Sequence, residues 1–192
     1  MSLAPSSQKV LAFAGSCRQG SFNHALLQHV IALAAESQPE LTFTLISLAD
    51  YPLPLFNEDV EASDPTPPAI IALKALFAQH DGLLIASPEY NSLPTPLLLN
   101  TFSWLSRQAA GEAPYAAFKG KVAALVAASP GGLGGLRALP VVRHGLQNMG
   151  VTVVPQVVSV ASAQSVLAAP ALADPTRGMI LTQLAQLSHH LR

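Results

Sequence analysis

Five short apolar runs, each followed by a stretch long enough for a helix, constrain this chain more than any other feature. The runs are "KVLAFAGS" (9–16), "LTFTLISL" (41–48), "GLLIAS" (82–87), "KVAALVAAS" (121–129) and "VTVVPQVVSV" (151–160). Each is short, bounded by turn formers and rich enough in apolar or β-branched residues to be a strand. Between them the apolar spacing turns helical. "NHALLQHVIALAAE" (23–36) reads as a helix with the Ser21 hydroxyl as its N-cap, and further helices fall near 69–79, 95–107, 135–149 and 175–191. One connection differs: "ADYPLPLFNEDVEASDPTPP" (49–68) is too dense in proline for regular structure and reads as a long loop bordering a site.

Strands separated by helices of this length build βαβ units, hence a parallel sheet covered on both faces. Five such strands suit an α/β flavodoxin-like three-layer sandwich, a five-stranded parallel sheet of order 2-1-3-4-5, expected as one domain over residues 1–192. In open sheets of this class, ligands bind beyond the carboxyl ends of the strands, near the switch in strand order. Three segments lie at such ends: "GSCRQGSFN" after the first strand, "SPEYNSLP" after the third and "SPGGLGG" after the fourth. They are expected to converge on one site.

Composition closes off other classes. Half the residues are apolar and 11 % are charged, a globular balance, and a net charge of −1 without a basic stripe argues against nucleic acid. A single cysteine, Cys17, excludes an intramolecular disulfide, and the six scattered histidines give no metal-ligand spacing. The first residues lack the charge and apolar pattern of a secretory signal. Residues 144–173 carry no formal charge, but Pro155, Gln156, Gln164 and Pro170 interrupt them as a membrane span. These features predict a cytoplasmic protein with no membrane or nucleic-acid partner, and the sparse charge predicts apolar surface covered by another subunit.

The first loop carries most of the chemistry. Gly15 and Gly20 permit close backbone approach, and the helix behind them offers unpaired amides. Ser16 and Ser21 can donate through hydroxyls, Asn23 through its amide, and Arg18 adds a permanently charged fork matched to phosphate oxygens. Together they describe a cradle for a terminal phosphate monoester. The spacing is neither GxGxxG nor GxxxxGK[ST], so neither a Rossmann dinucleotide nor a P-loop nucleotide is indicated. The same residues also suit a glycine-rich turn with a capped helix and a solvated arginine.

"GSCRQGSFN" resembles the GSxRxxSxN phosphate loop of the NADPH-dependent FMN reductase family, flavodoxin-like quinone, chromate and azo-dye reductases. "SPEYN" (87–91) is similar to that family's second motif, "SPGGLGGLRA" (129–138) to its third, and "ADYPLPLFNED" to its connecting loop. The resemblance implies FMN as cofactor and NADPH or NADH as hydride donor. Ser16, Arg18, Ser21 and Asn23, with Phe22 among them, would hold the FMN phosphate. Pro88, Glu89, Tyr90 and Asn91 would lie along the isoalloxazine, and Ser129, Gly131 and Gly132 would flank its pyrimidine side. Read on their own, Tyr90 also suits a half-buried aromatic, and Glu89 a surface carboxylate or helix-cap partner. No catalytic acid–base residue and no metal is implied.

The implied activity is hydride transfer from nicotinamide to FMN and on to a small-molecule acceptor such as a quinone or flavin. The alternatives are an FMN-binding electron-transfer protein without a productive NAD(P)H site, and a degenerate member that binds FMN weakly. Leu99 and Ser103 stand where the family commonly has lysine and aspartate, which bears on assembly. Leu97, Leu98, Leu99, Phe102, Trp104 and Leu105 surround much of their helix, which predicts cover by a twin subunit, as homodimer or homotetramer; the alternative is cover by the proline loop of the same chain. Cys17 is not expected to act as a nucleophile, His24 is expected on a helix surface, and Arg137 and Arg143 fit an interface or the NADPH phosphate equally.

Overall fold

A computed structural model describes residues 8–63, 66–109 and 111–192. Its strands are β1 (Gln8–Ala14), β2 (Leu41–Ser47), β3 (Gly82–Ala86), β4 (Glu89–Tyr90), β5 (Leu93–Pro94), β6 (Val122–Ala128) and β7 (Thr152–Val160). Five of them form one parallel sheet of order β2-β1-β3-β6-β7, the winding expected from the sequence. The central strands explain themselves. β3 and β6 are buried at every residue, and alternate side chains of β1 serve opposite faces, Val10, Ala12 and Ala14 on one and Leu11 and Phe13 on the other.

Helices α1 (Phe22–Ser37), α2 (Glu58–Ser63), α3 (Pro68–Ala78), α4 (Pro96–Leu105), α5 (Ala138–Asn148), α6 (Ala163–Val166) and α7 (Thr176–His190) complete the layers. Leu26, Leu27 and Val30 of α1 join Ile180, Leu184 and Leu187 of α7 on the first face. Leu73 and Phe77 of α3, Leu98 and Phe102 of α4, and Leu139 and Val142 of α5 fill the second. There Phe13, Phe77, Phe118 and Phe102 form a chain of ring contacts with centroids 5.8, 5.4 and 5.5 Å apart. Burying each such side chain contributes about 1.5–3 kcal/mol, so the sheet is the rigid base from which the loops project. Among the described residues no helix is long and apolar enough to cross a membrane.

Three regions depart from expectation. The proline-dense connection is not wholly irregular: it contains a short 3₁₀ turn at Leu48–Asp50 and α2, whose start is set by Asn57 Oδ1 accepting the Asp59 amide at 2.7 Å. The segment after β3 is a hairpin rather than a plain loop. Tyr90 pairs with Leu93 across Asn91 and Ser92, both at positive φ (53° and 67°), as a two-residue type I′ turn requires. The last strand is bulged where pairing passes from Ala123↔Val153 to Leu125↔Val157 around Pro155. Gln183 of α7 donates to the carbonyls of Leu125 (2.9 Å) and Gln156 (2.8 Å) at that bulge.

The apolar girth of α4 is also explained within the chain. Trp104 is 2 % exposed because the proline loop lies over it: its Nε1 donates to Pro54 O at 2.8 Å, and Phe56 meets it edge-on at 5.1 Å. Asn100 fastens the same loop, donating to Pro54 O (2.9 Å) and accepting from the Phe56 amide (2.7 Å). Of the residues assigned to a second subunit, Leu98, Phe102, Trp104 and Leu105 are buried in this one, and only Leu99 is largely exposed, at 45 %.

Candidate functional site

The three loops expected to converge do so at the carboxyl ends of β1, β3 and β6. In the first, the Arg18 amide donates to Ser16 Oγ (3.2 Å) and the His24 amide to Ser21 Oγ (3.4 Å), the latter being the expected N-cap of α1. Both hydroxyl oxygens accept from their own loop, which leaves each O–H to donate outward. Arg18 is exposed, lies 5.3 Å from the Phe22 ring centroid and makes one bond of 3.3 Å to Gln19 O. Among the described residues it has no carboxylate partner, whereas Lys74, Arg107, Arg137 and Arg192 all do. Burial, and then the Asp50 carboxylate, push the Cys17 thiol above the ordinary value, so this cysteine is not an activated nucleophile.

Buried polar side chains tie the loops together pairwise. Asn23 joins the first to the third, donating to Ala128 O at 2.9 Å and accepting the Ala128 amide at 3.0 Å. Thr95, the N-cap of α4, joins the second to the first through a 2.7 Å bond from its hydroxyl to Gly15 O. Glu89 joins the second to the third by accepting the backbone amides of Arg137 (2.8 Å) and Ala138 (3.1 Å) and the Arg137 guanidinium (2.6 and 2.9 Å). Burial opposes its ionisation, but the bonds from Arg137 and Ala138 outweigh it and hold the carboxyl below the usual range. Each such bond contributes about 0.5–1.5 kcal/mol, and more where a charge takes part.

The glycines of the third loop divide into two pairs. Gly134 (φ +61°) and Gly135 (φ +87°) are packing positions: a Cβ on the first would lie 2.6 Å from Val160 C, and on the second 2.9 Å from Ala127 Cβ. A Cβ on Gly132 would meet nothing within 4 Å, and on Gly131 only Ser129 Oγ at 3.8 Å. The inner pair brings the loop down onto the sheet; the outer pair leaves space above it. Arg143 is spent elsewhere, donating to the carbonyls of Val153, Val154 and Pro155 at the β7 bulge.

A cleft of about 320 Å³ opens between the loops, lined by Ser16, Arg18, Ser21, Phe22, Asn23, Pro88, Glu89, Tyr90 and Ser129 with Ala128 and Pro130. A second cleft of about 640 Å³ shares the Ser16–Phe22 wall and runs over the start of α1. Asn91 sits in the hairpin turn, and Gly131 and Gly132 lie beyond the first cleft's lining. A profile of the family described as NADPH-dependent FMN reductase matches residues 8–165. The chain belongs to that family. As a family member it is an NAD(P)H-dependent FMN reductase of the quinone reductase type. It is 36 % identical over 188 residues to the NAD(P)H-dependent FMN reductase of Pseudomonas aeruginosa, covering 96 % of this chain and 95 % of that one. It is 37 % identical over 143 residues to a probable NADPH:quinone oxidoreductase of Oryza sativa, covering 74 % of this chain and 66 % of that one. The solved structure of FerB, a flavoenzyme NAD(P)H:(acceptor) oxidoreductase of Paracoccus denitrificans, superposes with a TM-score of 0.77 at 26 % identity, covering 95 % and 98 % of the two chains.

Two features of this loop cluster are not legible in the sequence alone. A threonine directly before Pro96 is an ordinary helix-start signal, but nothing local in the sequence aims the Thr95 hydroxyl at Gly15 O. The sequence offers the Asn23 amide to the phosphate; in the structure its oxygen and one amide hydrogen bridge to Ala128, which leaves a single N–H.

Proposed function

We propose that this FMN reductase, a cytosolic enzyme, takes hydride from NADPH or NADH onto FMN and passes it to a quinone, a free flavin or a similar small acceptor. The residues suit the cofactor on two counts. Arg18, without a carboxylate partner among the described residues, stands beside two hydroxyls with donors to spare, which is the donor set for a phosphate dianion. The open Gly131–Gly132 pair leaves the room that a flat ring needs beside the cleft. Bound FMN supplies the hydride chemistry itself. Ser16, Arg18 and Ser21, with the remaining N–H of Asn23, hold the phosphate, and Phe22 walls it. Pro88, Glu89, Tyr90 and Asn91 run along the ring with their backbone, and Ser129, Gly131 and Gly132 border its pyrimidine side. Their work is positioning and donation toward oxygens that gain charge on reduction, for which no triad is required.

The observation that carries the proposal is the Arg18 guanidinium at the mouth of the cleft, without a carboxylate partner among the described residues. Purified protein mixed with FMN is expected to turn yellow and to lose that colour anaerobically on addition of NADPH or NADH. Colour that persists would make the protein an electron carrier, and colourless protein would remove the cofactor. Tyr90, Leu93, Leu133 and Leu136 leave apolar surface on the hairpin and third loop for a homodimer or homotetramer. Light scattering on the same preparation is then expected to give a mass above 20.0 kDa.

A further inference from the structure

Glu89 stands in the second of the three loops, yet its carboxylate accepts its hydrogen bonds from the third. Its side chain is 8 % exposed, and all four bonds it accepts come from Arg137 and Ala138. It thereby closes the N-terminal end of α5, taking two amides that have no partner inside the helix and offsetting the partial positive charge there. Its own backbone belongs to the hairpin, paired with Pro94, with Pro88 and Tyr90 on either side in the cleft wall. Gly135 packs against it, 3.7 Å separating Glu89 Cβ from the place a Cβ would take. Glu89 is also the one acidic side chain lining that cleft among the described residues.

We propose that Glu89 is a positioning residue: clamped by Arg137 and the first amides of α5, it locks the hairpin to the third loop and sets the local charge beside the flavin ring. This role rests on the flavin reading above. Two consequences follow from the geometry. Cutting the side chain back frees the two loops from each other, so the ring loses its fixed walls. Removing only the charge leaves Arg137 and the helix end uncompensated, and reduction of the ring, which adds negative charge, becomes easier.

The test compares the parent protein, Glu89→Ala and Glu89→Gln by FMN titration, visible circular dichroism of the bound flavin, and midpoint potential against a reference dye. Glu89→Ala is expected to bind FMN about tenfold or more weakly, the worth of a lost charge-assisted bond, with altered flavin dichroism. Glu89→Gln keeps the shape and an acceptor oxygen; it is expected to restore affinity to within about threefold while moving the potential to more positive values. An Ala variant matching the parent in affinity and dichroism, or a Gln variant with the parent's potential, overturns the role. If the Ala variant does not fold, the potential of the Gln variant alone decides. A parent that binds no FMN overturns the flavin reading itself; a parent that binds it beside unchanged variants overturns only Glu89.

Discussion

The first and third loops each place an arginine beside the end of a buried strand, and the two are treated differently. Arg137 is held by Glu89 through two guanidinium bonds, while the Arg18 guanidinium, among the described residues, meets only an aromatic ring and one carbonyl. The glycines follow the same division. Gly134 and Gly135 carry conformations and contacts that a side chain would break, whereas a Cβ on Gly132 would meet nothing and one on Gly131 only ordinary contact with Ser129. A cation near a strand end therefore says little until its partner is known. The third loop's inner half is committed to the fold, and the first loop keeps its hydrogen-bonding capacity for something else.

This contrast can be broken in three places. The largest effect is expected at Gly134→Ala, where a positive φ and backbone 2.6 Å from the new Cβ combine. Loss of about 3 kcal/mol in denaturant unfolding is expected, and a loss below about 1 kcal/mol would mean the loop gives way easily. Next comes Arg18→Ala, which is expected to weaken FMN binding by about 1.5–3 kcal/mol while leaving the unfolding midpoint of the apoprotein within about 0.5 kcal/mol of the parent. Unchanged affinity in a titration would remove Arg18 from the site. The smallest effect belongs to Gly132→Ala. Its apoprotein is expected to be as stable as the parent within about 0.5 kcal/mol, with FMN affinity reduced by about 1 kcal/mol; a stability loss equal to that of Gly134→Ala would erase the division between the pairs.

What the sequence made legible tracks how local each cause is. The five strands and their order follow from apolar runs and helix-length spacers, which are properties of the chain alone. The cap at Ser21 follows from hydroxyl chemistry within three residues. The hairpin at Glu89–Pro94 was missed because two residues per strand carry no periodicity. Helix α2 was hidden by the prolines around it, although Asn57 followed by Glu58, Asp59 and Glu61 is a readable start. The apolar count of α4 predicts cover by a second subunit, and contact with Pro54 and Phe56, some fifty positions earlier, corrects this for Trp104 because no local signal places the proline loop there. Arg143 was assignable to an interface or a phosphate until the bulge in β7 put three carbonyls in its reach.

That bulge bears on how copies of the chain meet. A strand at the rim of a sheet is a template on which a foreign strand can lengthen the ladder. Here the rim strand carries Pro155, which lacks an amide hydrogen, and the carbonyls of Val153, Val154 and Pro155 are already taken by a guanidinium from the neighbouring helix. Extension of the sheet across that border is blocked by chemistry as well as by shape. Along that stretch of the border the molecule is protected against strand-to-strand contacts with other copies, while β2, at the opposite rim, carries no such block among the described residues.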